Sequence, residues 1–172
     1  MKTAFVTGAN RGLGKGFVDF LLDTGYTVFA GVRKIPVSLN NNDKLIYVQI
    51  DITDDLSIDL AVNKVKRYVK NLDLLINNAA VNKNSATNDN IDLVCKLDKL
   101  DRKSLIKIFD VNSISPLIVV GKFLKLLQSK PSFVINISSD RASFHDEYEN
   151  STANYGYRGS KSALNMLTFC ST

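Results

Sequence analysis

The chain has 172 residues, 45% of them apolar and 23% charged, which is a domain of ordinary size with enough hydrophobic chain to bury a core. Its formal charge is +5, but no lysine-arginine block appears, so nucleic acid is set aside and a small phosphorylated ligand is kept. Two cysteines far apart, Cys95 and Cys170, and a single histidine, His145, argue against a Cys/His metal site, a disulfide framework and a Ser-His-Asp hydrolase; no Gly-x-Ser-x-Gly elbow is present.

Along the chain, the predicted elements alternate. "KTAFVTG" (Lys2 to Gly8) is a short β-branched run ending in glycine and reads as a buried strand. Met1-Lys2 leads into it without a signal peptide, and no apolar run reaches membrane length, so a soluble cytoplasmic protein is expected. "LGKGFVDFLLDTG" then places Phe17, Phe20, Leu21 and Leu22 at helical spacing, with Gly25 as its stop. "TVFAGV" and "KLIYVQI" are the second and third strands, and Thr53-Asp54-Asp55 caps the helix "LSIDLAVNKVKRYV". "LDLLINNA" is the fourth strand, and the polar stretch Asn82 to Asn90 after it reads as a solvated loop. Asp101 to Gln128 is mostly helical, interrupted near Asn112 to Pro116; "SFVINISS" is a fifth strand and "ANYGYRGSKSALNMLTF" a final helix. Strands too apolar for one wet face, alternating with helices, predict an α/β domain with a doubly wound parallel sheet covered on both sides. A ligand would then bind beyond the carboxyl ends of the strands.

Three local patterns point to chemistry at that edge. In "TGANRGLG" (Thr7 to Gly14), Gly8, Gly12 and Gly14 permit a tight turn and close approach of backbone to a pyrophosphate on a helix N-terminus, and Arg11 adds a cation. The second strand runs out in Val32, Arg33 and Lys34, with no carboxylate to repel a ribose 2′-phosphate, which favours NADP(H) over NAD(H). Finally, Tyr157 precedes Lys161 by one helical turn. With six tyrosines and sixteen lysines, about 0.6 such pairs are expected by chance, so this spacing means little until the rest of the chain is weighed.

Taken together, the motifs resemble the short-chain dehydrogenase/reductase superfamily, classical type, over the whole chain and in family order: "TGANRGLG", "DI" at Asp51-Ile52, "NNAA" at Asn77 to Ala80, Asn112 in "DVNSISP", Ser139 in "NISS", and Tyr157 with Lys161. The opening region is similar to C-factor-like and carbonyl-reductase-like members. The resemblance implies a Rossmann-type NADP(H)-binding domain over residues 1–172. It implies a cofactor held by Gly8, Asn10, Arg11, Gly12, Leu13, Gly14, Arg33, Asp51, Ile52, Asn78, Ala79, Ala80, Tyr157 and Lys161. Asp51 would receive the adenine amino group or simply cap a helix, and Asn77 is assigned to stability. Tyr157 would give its proton to a carbonyl oxygen, and Lys161 would stabilise the phenolate, since a free phenol titrates near ~10. Ser139, with Ser138 as its alternative, would bond the substrate oxygen, and Asn112 would hold a relaying water. Tyr155 lacks a cation at the needed spacing.

The chain departs from the family pattern in three places. Ala80 stands where glycine is commonest. The spacer after Ser139 is long and carries Asp140, Asp146, Glu147 and Glu149. The chain stops in or just after the final helix, without the usual two further strands and substrate lid, so a truncated sheet with an unpaired fifth-strand flank is expected. A fragment, a shortened gene product and a protein completed by another subunit all fit that ending. The expected function is hydride transfer between NADP(H) and a small carbonyl or alcohol, with no nucleic acid or membrane partner and a possible homo-oligomer; the alternative is a dinucleotide-binding regulatory protein without turnover.

Overall fold

The computed structural model describes residues 2–35, 42–82, 97–128, 131–143 and 154–170. His145, Cys95, most of the polar loop after the fourth strand, and Asp146, Glu147 and Glu149 lie outside them. The chain divides into two compact units, Met1–Ala79 with Ile118–Ile137, and Ala80–Leu117 with Ser138–Thr172.

The first unit is a five-stranded parallel sheet: β1 (Lys2–Thr7), β2 (Tyr26–Val32), β3 (Leu45–Gln49), β4 (Leu74–Asn77) and β5 (Phe133–Asn136), in the spatial order β3-β2-β1-β4-β5. That order is the doubly wound one, and it reverses between β1 and β4. Side-chain alternation sorts the core into two layers. Ala4, Val6, Val28, Ala30, Val32 and Ile76 point to one side, where Val18 and Leu21 of α1 (Gly12–Asp23) cover them. Phe5, Phe29, Ile46, Val48 and Leu75 point to the other, against Ile58, Val62 and Val65 of α2 (Asp55–Lys66) and Val119, Phe123 and Leu126 of α4 (Ser115–Leu127). The central strands β1 and β2 are therefore buried almost throughout, as their unbroken apolar runs require. At the edge the pattern relaxes. Among the described strands β5 pairs with β4 alone, and Phe133 is 73% exposed.

Local signals act as the sequence implies. Asp54 caps α2, accepting from the Leu56 amide at 3.0 Å, and Gly25 turns the chain after α1 with φ +86.

The second unit holds α3 (Arg102–Phe109), the start of α4, and α5 (Tyr155–Phe169), capped by Asn154, whose Oδ1 accepts from the Tyr157 amide at 3.2 Å. The interruption expected near Asn112 to Pro116 is a π-turn at Asp110–Ile114, beginning two residues earlier, and the helix does not break. Pro116 has no N–H to offer the carbonyl four residues back, so the ladder before it widens; the Ser115 amide bonds the Asp110 carbonyl instead. Because the helix continues through this turn, Arg102–Leu127 forms 26 residues that are long and apolar enough to cross a membrane by length and composition. This corrects the expectation that no segment reaches that length. Within the first unit, however, Val119, Phe123, Leu126 and Leu127 of this helix are buried against the sheet.

The Phe5–Phe123 pair, centroids 4.7 Å apart, joins β1 to α4 in that layer, and both rings are fully buried. Phe123→Ala should cost about 3–5 kcal/mol through lost burial and a cavity, read as a lower midpoint in urea denaturation with an unchanged slope.

Candidate active site

In the first unit the candidate residues gather where β1 and β4 run out side by side. Gly8 (φ +66) lies so close to β4's exit that a Cβ there would sit 2.9 Å from the Ala79 Cα. At Gly14, on the buried side of α1, a Cβ would overlap the Gly8 carbonyl oxygen and the Asn78 Nδ2. Hydrogen bonds hold this approach. The Thr7 hydroxyl accepts from the amides of Asn78 (3.0 Å) and Ala79 (3.1 Å), and Asn78 Nδ2 donates to the carbonyls of Thr7 (2.9 Å) and Gly8 (3.2 Å). The sequence reading has Asn78 lining a ribose; its amide nitrogen is committed to this tie. Asn77 also acts as a tie, donating to Asn136 Oδ1 at 2.8 Å between β4 and β5. Thr7 is the organiser that sequence reasoning passed over, and its only signal is a polar residue closing an apolar strand.

Beyond the tie the loop is open. Asn10, Arg11, Gly12 and Leu13 are exposed, and Arg11 is the N-cap of α1 but makes no side-chain capping bond. With no acidic residue in the first turn, the amide donors and positive end of the helix face outward. Arg33 and Lys34 are exposed just after the buried Val32. Asp51 is half-buried; its Oδ1 accepts from the Thr53 amide (3.0 Å) and hydroxyl (2.7 Å), and its own amide donates to the Ser57 hydroxyl at 2.8 Å. This turn lies just before the entry to α2, whose cap is Asp54 and not Asp51, and Ile52 packs against the α2 layer beside it. Glycines that admit backbone but no Cβ, and an uncapped helix N-terminus beside exposed cations, make a donor set that fits a dinucleotide pyrophosphate.

In the second unit, α5 carries Tyr157 and Lys161 one turn apart on one face. Tyr157 is half-buried, whereas Lys161 is only 3% exposed, and burial brings its ammonium down to about 8. Tyr155, by contrast, is exposed. Asn112 is fully buried in the π-turn. Its Oδ1 accepts from the Val81 amide at 2.8 Å, and its Nδ2 donates to the Val81 carbonyl at 2.9 Å and the Ser160 hydroxyl at 3.0 Å. Both hydrogens of the Asn112 amide are therefore committed, and a water-holding role would fall to its remaining acceptor groups. Gly159 lets α5 close on α3: a Cβ there would lie 3.0 Å from the Phe109 ring. Ser139 caps the short turn Asp140–Ala142; its hydroxyl donates to Asp140 Oδ1 at 2.9 Å and accepts from the Arg141 amide at 3.2 Å. Ser138 donates to Asn165 Oδ1 at 2.5 Å. Ala80 is exposed where the second unit begins. Ser160 and the capping Asn154 are the residues of this unit that the sequence reading missed.

Residues 2–171 match the short chain dehydrogenase family as a whole. The chain belongs to that family. An uncharacterized oxidoreductase of Saccharomyces cerevisiae is 32% identical over 171 residues, covering 95% of this chain and 61% of its own length. Among solved structures, the NADPH-bound carbonyl reductase from chicken fatty liver superposes with a TM-score of 0.82 at 31% identity, over 99% of this chain and 72% of that one. A short chain dehydrogenase from Burkholderia cenocepacia in complex with NADP gives 0.80 at 28%, over 99% and 66%. The chain spans 61% of the yeast oxidoreductase, 72% of the chicken carbonyl reductase and 66% of the Burkholderia protein, and about half or less of several other curated relatives. It is an oxidoreductase-family chain with an NAD(P)-type Rossmann sheet.

Two outcomes follow for this short-chain dehydrogenase chain. Gly14→Ala should lower thermal stability and weaken dinucleotide binding at least tenfold, whereas Gly16→Ala, where nothing lies within 4 Å of an added Cβ, should keep binding and firm up α1; calorimetric titration of both variants checks this. Lys161 has a lower pKa folded than unfolded, so the unfolded chain binds the extra proton between about pH 8 and 10.5. Stability contributed by this site should therefore rise with pH across that window, seen as wild type gaining on Lys161→Met in denaturation series at each pH.

Proposed function

We propose that the protein interconverts a small carbonyl compound and the corresponding alcohol with NADP(H) as hydride partner. The observation that carries this is the α5 arrangement: a half-buried Tyr157 one turn before a buried Lys161 whose ammonium lies near 8. At neutral pH Lys161 is still mostly charged, so it favours the phenolate, yet it can release a proton with little cost. Tyr157 gives its phenolic proton to the carbonyl oxygen and, in the reverse direction, takes it from the alcohol. Ser139 bonds the same oxygen after its hydroxyl turns away from Asp140. The bound nicotinamide supplies or accepts the hydride.

For the cofactor, the glycine turn and the α1 N-terminus take the pyrophosphate, and Arg33 with Lys34 takes the 2′-phosphate. Support for NADP(H) is the absence of a carboxylate after β2, together with the NADPH and NADP found with the chicken and Burkholderia proteins. Asp51 and Ile52 serve the adenine, and Ala79 with Ala80 the nicotinamide ribose.

Titration of the chain with NADPH and NADH should give clearly tighter NADPH binding, and Arg33→Ala should erase most of that preference. Tyr157→Phe should remove turnover of simple aldehydes and ketones while leaving the NADPH Kd within about twofold. Turnover that survives this change intact sinks the acid assignment, and cofactor binding without any wild-type turnover favours a regulatory binder.

A further inference from the structure

Asn112 and the Tyr157–Lys161 turn are linked by a residue outside the reacting set. Ser160 is fully buried; its hydroxyl accepts from Asn112 Nδ2 at 3.0 Å and donates to the Tyr157 carbonyl at 2.9 Å. Asn112 is in turn locked onto both backbone groups of Val81 at 2.8 and 2.9 Å. One polar chain therefore runs from the segment after β4, through the π-turn, into the first turns of α5. No water is needed to complete it, and each group donates to one that accepts. The same helix offers a contrast in Ser162, whose single hydroxyl hydrogen is shared between the carbonyls of Ala142 (3.1 Å) and Arg158 (3.0 Å) and so reaches the short turn after Ser139.

We propose that Ser160 is a positioning residue: by joining the Asn112 side chain to the carbonyl of Tyr157, it sets the height and rotation of the α5 turn that presents Tyr157 and Lys161. This rests on the oxidoreductase reading above and deepens it. The physical reason is directional. Packing of an apolar helix face tolerates small sliding, whereas the Asn112 bond at 3.0 Å crosses from the π-turn to α5 and resists it, and the bond to the Tyr157 carbonyl, three residues back in the same helix, fixes where the Ser160 hydroxyl points. Alanine at this position removes both bonds with little change of volume and leaves an Asn112 hydrogen without its acceptor.

The test compares wild type with Ser160→Ala and Ser160→Cys, all as the full chain. Rates are normalised to NADPH-binding sites counted by titration, and amide hydrogen exchange is followed in the peptides covering the π-turn and the start of α5. Ser160→Ala should lower kcat per site about tenfold with substrate KM and NADPH Kd within about twofold, and exchange in both peptides should rise together. Ser160→Cys, a small side chain that still bonds weakly, should recover part of the rate. Unchanged exchange overturns the proposal, and so does raised exchange with an unaltered kcat per site, since the tie would then be structural only. A wild type that binds NADPH but turns nothing over defeats the oxidoreductase reading. The exchange result then still decides whether Ser160 couples the two segments.

Discussion

The near-contact between the exits of β1 and β4 is the constraint on which the first unit turns. Two parallel strands end together, and the chain leaving one must pass against the chain leaving the other with no side chain between them. Glycine at positions 8 and 14 removes the Cβ atoms that would collide with Ala79, Asn78 and the Gly8 carbonyl. The Thr7 hydroxyl then satisfies two amides that would otherwise be orphaned at the strand end. Everything useful about the glycine turn follows from that closure. Its inner side is sealed by the protein's own bonds, and on its outer side lies a helix N-terminus without a side-chain cap or an acidic first turn, the chemistry an anionic ligand needs.

The second unit solves a different problem, that of holding a tyrosine and a lysine in fixed relation. Helical spacing supplies the relation between the two residues, but not the position of the helix. That depends on contacts with other elements, such as Gly159 closing against the Phe109 ring and the bond between Ser160 and Asn112. Burial of Lys161 does two things at once. It costs stability at neutral pH, because an ammonium is withdrawn from water, and it lowers the proton affinity of that group to about 8.

Several residues to which ligand chemistry is assigned also carry local structure. Asp51 organises the turn into α2 and sits where a ligand-bonding carboxylate is expected, and Ser139 caps a short turn while standing at the position assigned to the substrate oxygen. Such double use explains why reading a role from the sequence alone leaves alternatives open. A carboxylate before a helix and a serine after a strand have good structural uses in any fold.

By itself, the sequence determined the α/β class, the strand and helix order, the glycine turn and the Tyr157–Lys161 spacing. These depend on periods of two and of 3.6 and on backbone freedom at glycine, which are properties of short segments. It also carried the family, through motifs in a fixed order. Tertiary structure alone decided that Asn78 and Thr7 tie the exits of β1 and β4, that Ser160 bonds Asn112, and that the break before Pro116 is a π-turn within a continuing helix. The ties rest on partners distant in the chain: Thr7 with Asn78, 71 residues apart, and Asn112 with Ser160, 48 apart. A hydroxyl's partner is set by which chain segments folding brings within 3 Å, and no local pattern records that.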